Sequence, residues 1–140
     1  MMKTIRLRRS LAAVLMLGAG LSVAYADMPP VQKQGNVTFV TGGVGLDEST
    51  SMKAAEKDYS LSMVFAQRAD GQNLYTADVP VTITDSKGAT VLQTTTNGPY
   101  LLVQLPPGTY KISSTYNGKE LVRQATVSKG SHNRVAFEWQ

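Results

Sequence analysis

The chain has 140 residues with no cysteine and one histidine, and its 14 basic and 10 acidic residues give a formal charge of +4. That length holds one ordinary hydrophobic core. Disulfides and a four-ligand structural zinc site are both excluded, so burial has to supply the stability.

Four of the basic residues, Lys3, Arg6, Arg8 and Arg9, open the chain without an acid among them, and the apolar run from Leu11 to Val23 follows. A charged start, a short apolar centre and the small-x-small site Ala24-Tyr25-Ala26 have the form of a secretory signal. The run is too short to span a bilayer, which takes roughly 20 residues as a helix. Residues 1–26 are therefore expected to be a signal cleaved after Ala26, leaving a periplasmic or secreted product with no membrane span. Cleavage removes those four cations and none of the acids, so the processed chain is neutral. The basic character belongs to the signal and gives no reason to expect nucleic acid or an anionic membrane as partner.

Residues 27–36, with paired prolines among polar residues, are expected to be a flexible tether, and residues 37–140 to be the domain. Val37 to Val40 reads as a first strand. Behind it come the turn Thr41-Gly42-Gly43-Val44-Gly45 and a short helix over 46–57. Asp47 is positioned to cap that helix, Glu48 suits its positive end, Lys53 and Lys57 suit its negative end, and Met52, Ala55 and Tyr59 share one face.

From Tyr59 the period changes to two. Tyr59, Leu61, Met63 and Phe65 alternate with Ser60, Ser62, Val64 and Ala66, and after the turn at 69–72 Val79, Val81 and Ile83 do the same. Further strands are expected over 89–96, 100–105, 109–116, 121–127 and 133–139. Each is bounded by turn residues, and Asn117-Gly118 gives the strongest hairpin signal because a type I′ turn needs positive φ at both positions. Seven to eight short strands at this spacing predict an all-β sandwich with one short helix near the N-terminus.

No motif in the chain specifies a reaction. The loop Gly42-Gly43-Val44-Gly45 before a helix has the form of an anion cradle, but it lacks the Walker lysine and the G-x-G-x-x-G spacing, and two acids follow it. His132, beside Gly130 and Ser131, reads as a solvated turn residue. Asp47, Glu48, Asp70, Asp78 and Asp85 lack the alternation of a calcium loop and read as cap and turn acids. Tyr75, Tyr100, Tyr110, Tyr116 and Trp139 offer either core packing or a glycan platform, with Trp139 placed to clamp the last strand.

The segments Asp78 to Gly88, Thr96-Asn97-Gly98-Pro99-Tyr100, Leu105 to Ile112 and Tyr116-Asn117-Gly118-Lys119 together resemble carboxypeptidase regulatory-like domains. Thr41 to Glu48 and Tyr59 to Ala66 look similar to exported bacterial proteins that consist of this domain alone. The resemblance implies a transthyretin-like (Ig-like, Greek-key) sandwich acting as a binding or accessory module, without cofactor or metal. Two relatives with chemistry fit poorly. Transthyretin-like hydroxyisourate hydrolases use several histidines and a terminal Tyr-Arg-Gly-Ser, whereas here one histidine is present and the sequence closes Phe137-Glu138-Trp139-Gln140. Cna B-type domains form Lys-Asn isopeptides, for which Lys33 and Asn133 are the candidate pair. The expected function is recognition of a protein or peptide through Gly42, Gly43, Gly45, Asp47 and Glu48, with a glycan ligand or an unrecognised hydrolase site as the alternatives.

Overall fold

A computed structural model describes residues 28–140, so the expected signal segment lies outside the described residues. Among the described residues ten strands make two layers. They are β1 (Gln32–Gln34), β2 (Val37–Gly42), β3 (Leu61–Ala69), β4 (Gln72–Tyr75), β5 (Pro80–Thr84), β6 (Thr90–Thr95), β7 (Tyr100–Gln104), β8 (Gly108–Tyr116), β9 (Lys119–Val127) and β10 (Asn133–Trp139). The one α-helix among the described residues, α1 (Leu46–Ala55), continues into a 3-10 turn over Glu56–Asp58. The first sheet runs β1-β2-β7-β3-β10 with β4 also on β3, and the second runs β6-β5-β8-β9. The fold is the expected all-β sandwich.

The strand count exceeds the expected seven to eight because of β1 and β4, in which every residue is exposed. Strands with no buried face carry no period-two signal to read. β1 also corrects the tether. Gly35 adopts φ 58, and the turn at Gly35-Asn36 lets Gln34 pair with Val37. Asn117 and Gly118 have φ 49 and 76 and close the β8–β9 hairpin as expected, and Asp70 and Gly71, at φ 52 and 76, close β3–β4 in the same way.

Two cores result. Between the sheets lie Phe39, Leu61, Met63, Phe65, Ile83, Leu92, Ile112, Phe137 and Trp139, among others. On the outer face of the first sheet, Met52 and Ala55 of α1 bury Val40, Tyr100 and Leu102, with Tyr59 and Val64 packed alongside. The helix that interrupts the strand pattern is therefore needed structurally, because it covers a face that would otherwise expose apolar side chains. It also changes the reading of Tyr59, which packs under α1 and not with Leu61, Met63 and Phe65.

Strand order disposes of the isopeptide pair. Lys33 on β1 and Asn133 on β10 stand at opposite edges of the sheet with β2, β7 and β3 between them. Four strand spacings of about 4.8 Å keep them about 19 Å apart.

β3 has only two edges. β10 takes one along Leu61 to Gln67, so β7 (on Leu61 to Val64) and β4 (on Ala66 to Ala69) share the other in tandem. β2 flanks β7 and ends at Gly42 opposite Tyr100. Beyond that point the chain peels away into α1, and the outer edge of β4 has no neighbouring strand among the described residues.

Candidate functional site

Gly42, Gly43, Gly45, Asp47 and Glu48 run from the end of β2 into the first turn of α1, and the fold gives each a different role. Gly42 lies so close to Gly98 that a Cβ on Gly98 would run into the Gly42 backbone. Gly43 has φ 100, and a Cβ there would collide with the Tyr100 ring, so glycine is required both by conformation and by space. Gly45, at φ 87 with open space around it, is the N-cap residue of α1.

The expected capping by Asp47 does not occur: no side chain caps α1, and Asp47 is an exposed first-turn residue. Glu48 does a related job in reverse. Its Oε1 accepts the N–H of Gly43 at 2.7 Å and that of Val44 at 3.4 Å, so the carboxylate fills the small nest of loop amides. The anion-cradling capacity of the loop is thus used within the chain.

Beside this loop is a groove of about 380 Å³. Val44, Ser49 and Lys53 line one side, Tyr75 and Thr76 the other, and Tyr100 lies among them. Tyr100 is only 2% exposed, and its ring lies 6.0 Å from that of Tyr75 at a tilt of 36°. Burial raises the Tyr100 pKa above 10.0; the Lys53 ammonium facing its hydroxyl opposes that shift and the Tyr75 hydroxyl adds to it. In the sequence Lys53 reads only as a helix-end cation and the tyrosines as a separate platform. Lys53 falls four residues after Ser49 on the same helix face, the one signal that could have placed it at the loop.

The end of the sandwich at this groove is apolar and exposed. Val44 is 64% exposed, Leu46 80% and Tyr75 63%, whereas Leu74, 50% exposed, is the neighbour of Tyr75 on β4 and so turns to the opposite face of the sheet. A second depression of about 540 Å³ at the far end of α1 is lined by Met28, Val31, Ala55 and Tyr59, among others.

The remaining candidates are accounted for structurally. His132 is exposed but not free: Nδ1 lies 2.9 Å from the Tyr59 carbonyl and Nε2 3.5 Å from Ser62 Oγ. Since a carbonyl only accepts, Nδ1 carries the proton and Nε2 accepts from Ser62. This is the order of a nucleophile and its base, but Ser62 is fully buried. Trp139 is 2% exposed, stacks on Phe65 and Phe137 and donates to the Lys119 carbonyl at 2.9 Å, so it clamps β10 as expected. Tyr110 is buried and donates to the Pro106 carbonyl at 2.7 Å, while Tyr116 packs on the core. Of the proposed platform, Tyr75 alone stands exposed. Asp85 accepts from the amides of Lys87 and Ala89 and Asp70 holds positive φ in the β3–β4 turn, while Asp78, at φ 58 in the link before β5, donates its amide to the Thr96 carbonyl at 2.9 Å. Among the described residues no three His, Cys, Asp or Glu side chains group to hold a metal ion, and no helix is long and apolar enough to cross a membrane.

No family model and no curated protein sequence matches the chain. Among solved structures it is similar in part to the crystal structure of S.CueP, at 20% identity over 54% of this chain and 56% of that one, with a TM-score of 0.41. It is also similar in part to BcpA*(D312A), the major pilin subunit of Bacillus cereus, at 11% identity over 57% of this chain and 30% of the pilin, again with a TM-score of 0.41. The chain thus spans about half the length of the first and under a third of the second.

Proposed function

We propose that the processed chain is an exported, non-enzymatic accessory module that binds a partner protein at the end of the sandwich formed by the Gly43–Leu46 loop, α1 and β4. Export is supported by the basic, apolar and small-x-small succession of residues 1–26. The carboxypeptidase regulatory-like resemblance points to the same class of module. A non-enzymatic role is supported by the closure of the nucleophile-base geometry at Ser62 and His132, since Ser62 is fully buried.

The observation that carries the binding reading is the exposure of Val44 and Tyr75, 64% and 63%, on the walls of one groove, with Leu46, 80% exposed, two residues beyond Val44. Exposed apolar side chains are ordinary singly, and in a group they mark an interaction surface.

Site-directed photo-crosslinking in the exporting cell tests this. A photoreactive side chain at Leu46 is expected to give a discrete protein adduct that disappears with Tyr75→Ala. The same group at Val122, on β9 of the other sheet, is expected to give none. Equal labelling from both faces, or none from Leu46, overturns the reading.

A further inference from the structure

We propose that the partner enters as an extended strand paired to the free edge of β4, carrying an acidic side chain that meets Lys53; this rests on the binding reading above and specifies its mode.

The backbone register states the edge. Residues Ala69 and Gln72 close the β3–β4 hairpin, Gln67 pairs with Leu74, and the Thr76 amide donates to the Phe65 carbonyl at 3.1 Å. Hydrogen-bonded pairs alternate along an antiparallel ladder, so Gln72, Leu74 and Thr76 turn their main-chain groups toward β3. Asn73 and Tyr75 therefore turn theirs outward. On that side the lane held by β2 next to β7 ends at Gly42, and Gly43 leads the chain off into α1. This edge of β4 offers two N–H and two C=O groups in a row, which is the template that strand addition uses.

The side-chain chemistry sets the charge. In an added strand alternate residues project onto the face where Tyr75 meets Tyr100, which is the groove. Glu48, in the first turn of α1, is held by the Gly43 and Val44 amides. Neither the Arg68–Glu138 nor the Arg134–Glu56 ion pair involves Lys53, which faces the Tyr100 hydroxyl. Lys53 and the Tyr75 hydroxyl bring N–H and O–H donors to one groove, and the acceptor they suit is a carboxylate. A free acid would engage Lys53 alone, whereas the row of main-chain groups requires a peptide.

The test selects random-sequence displayed peptides on the folded chain and measures hydrogen exchange with an enriched peptide bound. Enriched peptides are expected to carry Asp or Glu at a fixed position. They should slow the Asn73 and Tyr75 amides by about tenfold or more while leaving Leu74, already bonded to β3, unchanged. Lys53→Glu should reverse the preference to Lys or Arg. Asn73→Pro removes only an outward N–H and should abolish binding at unchanged melting temperature; if that variant misfolds, the exchange pattern decides alone. Peptides that depend on Tyr75 but neither protect Asn73 and Tyr75 nor carry an acid overturn the strand mode and leave the binding reading standing. Full competition by free acetate likewise overturns the strand. If no enriched peptide depends on Tyr75, both fall.

Discussion

The side chain of Gln34 on β1 stands in for a missing strand beside Gln93 on β6: its Nε2 donates to the Gln93 carbonyl at 3.1 Å and its Oε1 accepts the Gln93 amide at 2.8 Å. One carboxamide thereby ties the edge of the first sheet to the edge of the second and blocks the centre of an exposed edge strand. Gln34→Ala is expected to cost about 1 kcal/mol in urea unfolding, because both bonds are at the surface. It should also raise self-association in sedimentation at high concentration. A variant with unchanged stability and no added association removes this role.

The Glu48 nest makes a graded prediction. Glu48→Ala leaves the Gly43 and Val44 amides without their acceptor and is expected to destabilise by about 1 to 2 kcal/mol, with Glu48→Gln recovering most of the loss. Gly43→Ala should cost more than either, about 2 kcal/mol or above, since it combines φ 100 with a collision against the Tyr100 ring. Thermal unfolding of the three variants gives the order directly. A large substitution at Gly43 consequently tests folding and says nothing of binding.

What the sequence makes legible is the buried half of the molecule. β10 falls at Asn133–Trp139 as expected, because Val135, Phe137 and Trp139 alternate cleanly, and the Asn117-Gly118 hairpin is where its dipeptide demands. β1 and β4 escape because Gln-Lys-Gln and Gln-Asn-Leu-Tyr bury nothing, and their pairing is dictated by neighbouring turns. At the site, the glycines announce an unusual loop, but their reasons are nonlocal. Gly43 answers to the Tyr100 ring, more than fifty residues away, and Gly42 to Pro29 as well as to the Glu48 carboxylate that the nest draws back onto the loop. Lys53 and Tyr75 meet across the groove only because β4 shares an edge of β3 with β7.

Ser114 points into the core from β8, is 1% exposed, and its hydroxyl has no hydrogen-bond partner. A buried hydroxyl without a partner costs free energy that its removal returns. Ser114→Ala is therefore expected to be neutral or stabilising by up to about 1 kcal/mol, unlike Ser60→Ala, which strands the Leu105 amide now bonded to Ser60 Oγ at 2.8 Å and should cost about 1 to 2 kcal/mol. A urea midpoint that falls in Ser60→Ala and holds or rises in Ser114→Ala confirms the contrast; a destabilised Ser114→Ala shows that the hydroxyl is satisfied in solution.

Two phenols give the fold an alkaline limit. Burial raises the pKa of Tyr100 above 10.0, and burial followed by the nearby Asp85 carboxylate raises that of Tyr110. In both the folded chain favours the neutral form. Their contribution to stability is therefore complete below the unfolded value of about 10 and declines as pH rises through the higher folded values. Stability should fall along an alkaline limb starting near pH 10, with these two phenols ionising above the ordinary tyrosine range in a near-ultraviolet titration. Tyr110→Phe separates the two effects. It forfeits the 2.7 Å bond to the Pro106 carbonyl, costing about 1 kcal/mol at neutral pH, and it makes the alkaline limb shallower because one of the two shifted protons is gone. An alkaline limb of unchanged slope in Tyr110→Phe would assign the loss of stability to other groups.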